Sequence, residues 1–197
     1  MGCAASAVAD PLTVVGEGEE KAAAVSAFTK TVTNAEIVSV ERIQNTKLVE
    51  AYDAKLKEMM SANGASAEAT ERKWLFHGTD ESTVSKIASR GFDRSFCGKD
   101  AVAFGKGVYF ARDASLSANP TYARPNAAGV QHMLLVRVAV GTYCVGKKDA
   151  MEPDARPNGR PFDSTTNDLD NPAFFVTYDN AQAFPEYLIK FKQLISA

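Results

Sequence analysis

The chain has 197 residues, of which 45% are hydrophobic, and its 22 basic residues nearly balance 24 acidic ones. This length and composition fit one medium-sized domain with a real core. A formal net charge of -2 gives no basic footprint for nucleic acid, so we expect no nucleic-acid partner. The sequence contains no run of about 20 apolar residues, so no segment is predicted to span a membrane.

Residues 1–20 are predicted to be a flexible leader, because small residues dominate them, and residues 21–197 to be the folded domain. The opening Met-Gly-Cys-Ala-Ala-Ser matches the pattern for N-myristoylation at Gly2. Cys3 beside it could carry a palmitoyl chain, and a second chain matters because a single myristoyl group attaches only weakly. The pattern is short, and an ordinary start rich in small residues explains it equally well.

The cysteines and histidines point to a reducing compartment. Three cysteines (Cys3, Cys97 and Cys144) lie far apart without a Cys-x-x-Cys pair, and the chain has only two histidines. This argues against structural zinc and against a disulfide framework. We expect a cytoplasmic monomer, attached to the cytoplasmic face of a membrane if the leader is lipidated, with the nucleus as the alternative. His132 begins an apolar strand and is expected to be a satisfied structural histidine.

In chain order, the first predicted elements are a short helix, a half-buried strand and a longer amphipathic helix. The first helix covers Lys21–Lys30, and apolar residues alternate with polar ones in the strand Glu36–Ile43. Asn45 or Thr46 is expected to cap the second helix. Its buried stripe comprises Leu48, Tyr52, Leu56, Met59 and Met60. Small and polar residues then predict a loop over Ser61–Thr70.

The stretch Lys73–Ser85 brings a strand and a binding turn together. An apolar run ends at His77, and Gly78 and Thr79 follow. Because glycine lets a ligand approach the main chain closely, we predict a strand that delivers a polar side chain and bare backbone to one place. An isolated His-Gly-Thr is more often an ordinary turn, so residues further along the chain must decide.

Asp80 or Ser82 can cap the next helix, which Gly91 ends. The stretch Gly91–Gly107 has no clean period and is predicted to be a long loop, a feature that is usually functional in a compact domain. Strands are predicted at Val108–Ala111, Met133–Val140, Phe174–Tyr178 and Glu186–Phe191, with a turn or helix at Ser115–Ala118. Strands outnumber helices and lack regular crossover helices, which predicts an α+β fold with a mainly antiparallel sheet.

Three clusters could carry chemistry: His77-Gly78-Thr79, Phe104-Gly-Lys-Gly-Val-Tyr109-Phe, and Ser115-Leu-Ser117-Ala-Asn119-Pro-Thr-Tyr122. The glycines around Lys106 lack the spacing of a phosphate-binding P-loop. Two tyrosines, a glycine turn and a serine hydroxyl could instead form a slot for a flat ring that bears an amide. Two tyrosines that pack the edge of a core would explain the same residues.

Taken together and in this order, these motifs resemble the catalytic domain of the poly(ADP-ribose) polymerase (PARP) family of diphtheria-toxin-like ADP-ribosyltransferases. They are Phe76-His77-Gly78-Thr79, Phe104–Ala111, Ser117-Ala-Asn119 with Tyr122, and Pro185-Glu-Tyr-Leu-Ile189. The resemblance runs over residues 28–191 and is strongest to the mono-ADP-ribosylating, macrodomain-associated branch. It implies a mainly antiparallel split sheet with a few flanking helices, NAD as co-substrate, no metal, and acceptor proteins as partners.

By resemblance, the nicotinamide amide is hydrogen-bonded to the backbone of Gly78 and the hydroxyl of Ser117. Tyr122 stacks on the ring, Tyr109 closes its other side, and His77 binds the adenosine ribose. The other residues that the resemblance places around NAD are Thr79, Arg94, Phe110 and Ala111.

One position departs from the His-Tyr-Glu set of polymerising members, which place glutamate at the start of a strand that ends in Tyr-Asp. Here that strand reads Ala173-Phe-Phe-Val-Thr-Tyr-Asp179, which puts Phe174 at the position, or Ala173 in a strand one residue shorter. Neither Asp179 nor Glu186 falls at that step. We therefore expect His77, Tyr109 and Phe174 to form the catalytic set of a mono-ADP-ribosyltransferase that acts on Glu or Asp by substrate-assisted catalysis. The alternatives are an inactive protein that binds NAD or ADP-ribose, and an NAD glycohydrolase.

Overall fold

A computed structural model of the chain describes residues 11–96 and 103–194. Its strands are Leu12–Val14 (β1), Ala35–Ile43 (β2), Glu71–Thr79 (β3), Val108–Ala111 (β4), Gln131–Ala139 (β5), Tyr143–Val145 (β6), Ser164–Thr166 (β7), Phe174–Thr177 (β8) and Ala183–Gln193 (β9). Its helices are Glu19–Thr29 (α1), Thr46–Asn63 (α2), Ala67–Thr70 (α3), Glu81–Arg90 (α4) and Ala114–Ser117 (α5), with 3-10 turns at Arg94–Phe96 and Asn180–Gln182. Within the two described ranges, no helix has the length and apolar character needed to cross a bilayer.

All the strands lie in one sheet, in the order β1-β2-β9-β5-β3-β4-β8-β7-β6. Neighbouring strands are antiparallel except for β6 and β7, which confirms the predicted α+β class with a mainly antiparallel sheet. β5 is buried along almost its whole length because helices cover both of its faces. Side chains of α4 pack on one face, and those of α1 and α5 pack on the other.

The main-chain pairing between β3 and β4 is short. β3 pairs with β5 from Glu71 to Thr79, whereas its pairing with β4 is confined to Phe76 and Ala111. Registered pairing therefore joins the two strands at this one position, within a single sheet. The split that the resemblance implies would fall at this junction, and we call the region between the C-terminal end of β3 and the N-terminal end of β4 the candidate cleft.

Two candidates were predicted for each of two helix caps, and in each case the structure shows which one caps the helix. Asn45 caps α2, since its side chain accepts a hydrogen bond from the N–H of Leu48 at 3.2 Å. Asp80 caps α4 in the same way, with the N–H of Thr83 at 3.0 Å. Gly91, at a φ of 79°, ends α4 as predicted because a residue without Cβ adopts this backbone conformation without strain.

The predicted leader over residues 1–20 needs correction. Residues from Pro11 onward belong to the fold, because the N–H of Gln44 donates to the carbonyl oxygen of Pro11 at 2.7 Å and β1 pairs with β2. A strand of three residues is too short to show an alternating pattern, which is why the sequence did not reveal it. The predicted lipid sites Gly2 and Cys3 lie outside the described residues.

Other segments also differ from prediction. Ser61–Thr70 is not a continuous loop, because α2 runs to Asn63 and the hydroxyl of Ser66 caps α3 by accepting from the N–H of Ala69 at 3.4 Å. β6 and β7 were not predicted at all. The polar residues of β7 gave no apolar signal, although all three are buried. Of the predicted loop over Gly91–Gly107, residues 97–102 lie outside the described part of the chain.

Candidate active site

His77 links β3 and β4 where their main-chain pairing has ended. Its Nδ1 lies 2.9 Å from the main-chain carbonyl oxygen of Tyr109. The imidazole packs against the rings of Phe92 and Phe110, with centroids 5.2 and 5.7 Å away. The side chain is thus fixed at the mouth of the cleft between the two strands.

These contacts define the protonation state of His77. A carbonyl oxygen can only accept a hydrogen bond, so Nδ1 carries the proton. Burial lowers the pKa of His77 from its ordinary value of 6.5, and the bond to the Tyr109 carbonyl opposes part of that shift. At pH 7 the ring is therefore neutral, and Nε2 is an acceptor that can bind a sugar hydroxyl.

We expect stability to fall as the pH drops below 6.5. The chain has only two histidines, and burial lowers the pKa of both in the folded state. The unfolded chain then binds more protons than the folded chain, so each histidine reduces the free energy of unfolding by up to about 1.4 kcal/mol per pH unit. The effect fades over about one pH unit above 6.5, and carboxylates such as Glu20 add to it as the pH approaches their ordinary pKa of 4.5.

Urea denaturation at several pH values between 6.5 and about 5 measures this slope. His77→Gln should remove the part of this pH dependence that His77 contributes. A free energy of unfolding that stays constant or rises over this range would contradict the lowered pKa values.

Gly78 and Ser117 bring amide-binding groups together. The hydroxyl of Ser117 donates to the carbonyl oxygen of Phe76 at 3.0 Å. Backbone groups of alternate residues in a strand point to the same side. The N–H and C=O of Gly78 therefore point to the same side of β3 as the carbonyl of Phe76. A donor, an acceptor and a hydroxyl are the groups that bind a carboxamide. The single proton of the Ser117 hydroxyl must leave Phe76 before it can be donated to an amide oxygen.

Gly78 cannot be replaced without moving the backbone around it. A Cβ built on this residue would lie 2.1 Å from the carbonyl oxygen of Ser117 and 3.0 Å from the main-chain nitrogen of Ala123. The segment after α5 therefore lies directly over β3. Tyr122 precedes Ala123 and is 44% exposed, so its side chain is accessible.

Tyr109 and Phe174 lie side by side on β4 and β8. Phe174 is the first residue of β8 and pairs with Ala111 of β4. Its ring centroid is 5.3 Å from that of Tyr109 and 5.3 Å from that of Phe104. Of the two positions left open by the sequence, Phe174 is thus the one whose ring lies beside the tyrosine, between two aromatic rings.

Three other predicted site residues have buried side chains. Phe110 is fully buried against His77, Ala111 is buried at the junction with β3, and Thr79 is buried at the end of β3. Side-chain contacts of Phe110 and Ala111 with a ligand are therefore not available in this arrangement. Phe110 instead packs against the imidazole of His77.

Arg94 is not brought together with the cleft residues. Its guanidinium donates to the carbonyl oxygens of Tyr178 and Met151, both at 2.8 Å. It also lines a cavity of about 290 Å³ with Lys55 and Asp163, to which none of the predicted cleft residues contributes. In this structure Arg94 anchors the main chain, and its predicted contact with the adenosine half of NAD stays a prediction.

The two acidic residues that the sequence left aside have structural contacts. The carboxylate of Asp179 accepts from the N–H of Ala181 at 2.9 Å and lies 3.2 Å from Nζ of Lys55. Glu186 accepts a hydrogen bond from the indole N–H of Trp74. Both carboxylates therefore contribute to the fold at these positions.

His132 is buried near the start of β5. The prediction that it is a satisfied structural histidine holds only in part. Its Nε2 is 3.9 Å from the carboxylate of Glu81. Among the residues that the structure describes, Nδ1 has no hydrogen-bond partner. The histidine is structural, as predicted, but it is not fully satisfied.

Sequence reasoning missed the residues that hold Tyr109 in place. The phenol of Tyr109 accepts from the N–H of Phe104 at 3.1 Å and donates to the carbonyl oxygen of Gly105 at 2.9 Å. Phe104 is in turn contacted by the hydroxyls of Thr165 and Tyr178. The only available signal was that Phe104 and Gly105 open the motif that ends at Tyr109.

Most of the chain is similar in sequence to known proteins. The model of the poly(ADP-ribose) polymerase catalytic domain matches residues 19–193. The human protein mono-ADP-ribosyltransferase PARP14 is 42% identical over 171 residues, which cover 85% of this chain. Mouse PARP10 and human PARP12, which carry the same descriptive name, are 35% identical over 81% of the chain and 32% identical over 94% of it.

The chain corresponds to only a small part of each relative. It spans 9% of the length of PARP14, 16% of PARP10 and 27% of PARP12. The similarity therefore concerns one domain of much larger proteins.

Proposed function

The chain belongs to the poly(ADP-ribose) polymerase catalytic-domain family, and on that basis we propose that it transfers a single ADP-ribose unit from NAD to a protein side chain. The bond between ribose C1′ and the nicotinamide nitrogen breaks, and C1′ forms a bond with an oxygen of an acceptor carboxylate. Nicotinamide leaves as a neutral molecule. The products are an ester on the acceptor protein and free nicotinamide.

The cleft residues suit the two ends of NAD. The backbone of Gly78 and the hydroxyl of Ser117 would hold the carboxamide, while Tyr109 and the exposed ring of Tyr122 would enclose the nicotinamide. The neutral imidazole of His77 would accept a hydrogen bond from a ribose hydroxyl, since its Nδ1 proton is used by the main chain. These groups would fix the nicotinamide and the adenosine end of NAD, and so orient the bond between them before it breaks.

The observation that carries the proposal is the contact between Phe174 and Tyr109. The ribose develops positive charge as nicotinamide leaves, and a nearby carboxylate stabilises such a state. Phe174 cannot do so, so we propose that the acceptor Glu or Asp provides the negative charge. That carboxylate is consumed in the ester and cannot activate a hydroxyl of ADP-ribose, so one unit is added.

Radiolabelled NAD with the purified chain and a mixture of candidate acceptor proteins tests the proposal. Label on protein that hydroxylamine removes supports transfer to acidic side chains. Free labelled ADP-ribose without labelled protein would indicate NAD hydrolysis. Binding of NAD without either product would identify an inactive binding protein and overturn the proposal.

Phe174→Glu is expected to raise NAD hydrolysis or to allow chain growth. It would place a carboxylate beside the ring of Tyr109, at the position where the resemblance implies that polymerising members carry glutamate. Loss of the two ring contacts should lower the free energy of unfolding by about 1 to 3 kcal/mol. Gel mobility of labelled acceptor distinguishes single units from chains.

Phe174→Gln is the matched control, because it has the same shape without an ionisable group. It should lose the same ring contacts and gain neither hydrolysis nor chain growth. Equal products from Phe174→Glu and Phe174→Gln would mean that Phe174 does not occupy the position of the missing carboxylate.

We also propose that acyl chains on Gly2 and Cys3 attach the chain to the cytoplasmic face of a membrane and that the chain acts as a monomer. The support for attachment is the sequence pattern alone. Mass spectrometry of the N-terminal peptide from eukaryotic cells tests it, and an unacylated peptide would remove the proposal.

A further inference from the structure

We propose that Thr165 and Tyr178 are positioning residues for the NAD cleft, acting through the main chain of Phe104. Neither side chain has been placed in contact with NAD. The inference rests on the proposed function. Thr165 and Tyr178 can affect activity in this way only if Tyr109 and Phe174 line the NAD site.

Two buried hydroxyls converge on one carbonyl oxygen. Thr165 Oγ1 donates to the carbonyl oxygen of Phe104 at 2.8 Å, and the phenol oxygen of Tyr178 lies 3.2 Å from the same atom. The two hydroxyl oxygens are 3.0 Å apart. Thr165 is 1% exposed and Tyr178 is 8% exposed, so water does not easily replace either hydroxyl.

Phe104 also contacts both Tyr109 and Phe174. Its N–H donates to the phenol oxygen of Tyr109 at 3.1 Å, and its ring lies 5.3 Å from that of Phe174. The carbonyl, the N–H and the ring of one residue thus connect Thr165 and Tyr178 with the two candidate catalytic side chains. A shift of the Phe104 peptide would move Tyr109 and Phe174 together.

The surroundings show that this arrangement is tightly packed. A Cβ on Gly105 would lie 1.8 Å from the phenol oxygen of Tyr178, and a Cβ on Gly146 would lie 2.0 Å from the carbonyl oxygen of Phe104. Burial also raises the pKa of Tyr178, so the phenol remains a donor at neutral pH. The Phe104 peptide is therefore enclosed between two glycines and two hydroxyls.

Thr165→Val and Tyr178→Phe remove the hydroxyls and preserve the shapes of the side chains. We expect each variant to weaken NAD binding about three- to tenfold, as measured by calorimetry, because one hydrogen bond that orders the cleft is lost. Thr165→Ser keeps the hydroxyl and should restore the affinity of the wild-type chain.

Ser164→Ala is the matched control. Ser164 is the neighbouring residue in β7, it is fully buried, and its hydroxyl donates to the carbonyl oxygen of Val140 at 2.7 Å. It should lower the unfolding temperature about as much as Thr165→Val but leave the affinity for NAD unchanged. Equal effects of both variants on NAD binding would show that Thr165 is merely structural and would overturn the proposal.

A second measurement makes the result independent of the proposed function. The Tyr109 ring resonance, assigned by its loss in Tyr109→Phe, can be followed by NMR with labelled tyrosine. It should shift in Thr165→Val and Tyr178→Phe but not in Ser164→Ala. If the wild-type chain binds no NAD, the proposed function fails, and this comparison alone decides the positioning role. An unchanged resonance would refute that role.

Discussion

Gly78→Ala is expected to reduce transfer of ADP-ribose by at least about 100-fold. The new methyl carbon would overlap the carbonyl oxygen of Ser117, which would be 2.1 Å away. The segment after α5 must then move, and a displacement of about 1 Å at a catalytic cleft can cost 100-fold in rate. Overpacking should also lower the free energy of unfolding by about 1 to 3 kcal/mol. Initial rates with labelled NAD, measured well below the unfolding temperature, check the prediction.

Gly16→Ala provides the matched control. Gly16 is exposed, and a Cβ at this position would have no heavy atom within 4 Å. Its rate and unfolding temperature should equal those of the wild-type chain. Wild-type transfer by Gly78→Ala would show that the close approach of Ser117 to β3 is not needed for activity.

His77→Phe should raise KM for NAD by about 10- to 100-fold. The phenyl ring can keep the packing against Phe92 and Phe110, but it removes both nitrogens. The carbonyl oxygen of Tyr109 then loses its donor at 2.9 Å, and the ribose loses its acceptor. The lost hydrogen bond between the histidine and the ribose hydroxyl costs about 1 to 3 kcal/mol of binding, which sets the expected range. Steady-state kinetics as a function of NAD concentration measure the change.

The same substitution at the other histidine is the control. His132 is buried, and within the described ranges its Nδ1 has no partner, so a phenyl ring removes an unsatisfied polar atom. We expect His132→Phe to leave KM unchanged and to be neutral or stabilising. An equal rise of KM in both variants would mean that His77 contributes only to folding.

The elements with strong local signals were predictable. The apolar run of β5 and the caps of α4 were correct because burial on both faces and a side-chain acceptor before a helix leave clear patterns. β1, β6 and β7 were missed because each has three residues and depends on its partner strand. The buried Thr165 in β7 shows that tertiary contacts, not hydrophobicity, define such strands.

The candidate site was proposed only through resemblance. The family motifs led to His77, Tyr109 and Ser117 and the strand register to Phe174, and their roles stay predictions. Their supports could not be inferred, because Phe104 bonds to residues 61 and 74 positions further along the chain. A pattern within one segment contains no information about hydrogen bonds over such separations.

The single registered pair between β3 and β4 has a mechanical consequence. His77 and Gly78 belong to β3, whereas Tyr109 and Phe174 belong to β4 and β8. Besides this pair, the hydrogen bond between His77 and the carbonyl oxygen of Tyr109 joins the two groups. A ligand that contacted both groups would add a further connection between these two parts of the sheet, and its affinity would then depend on how they are aligned.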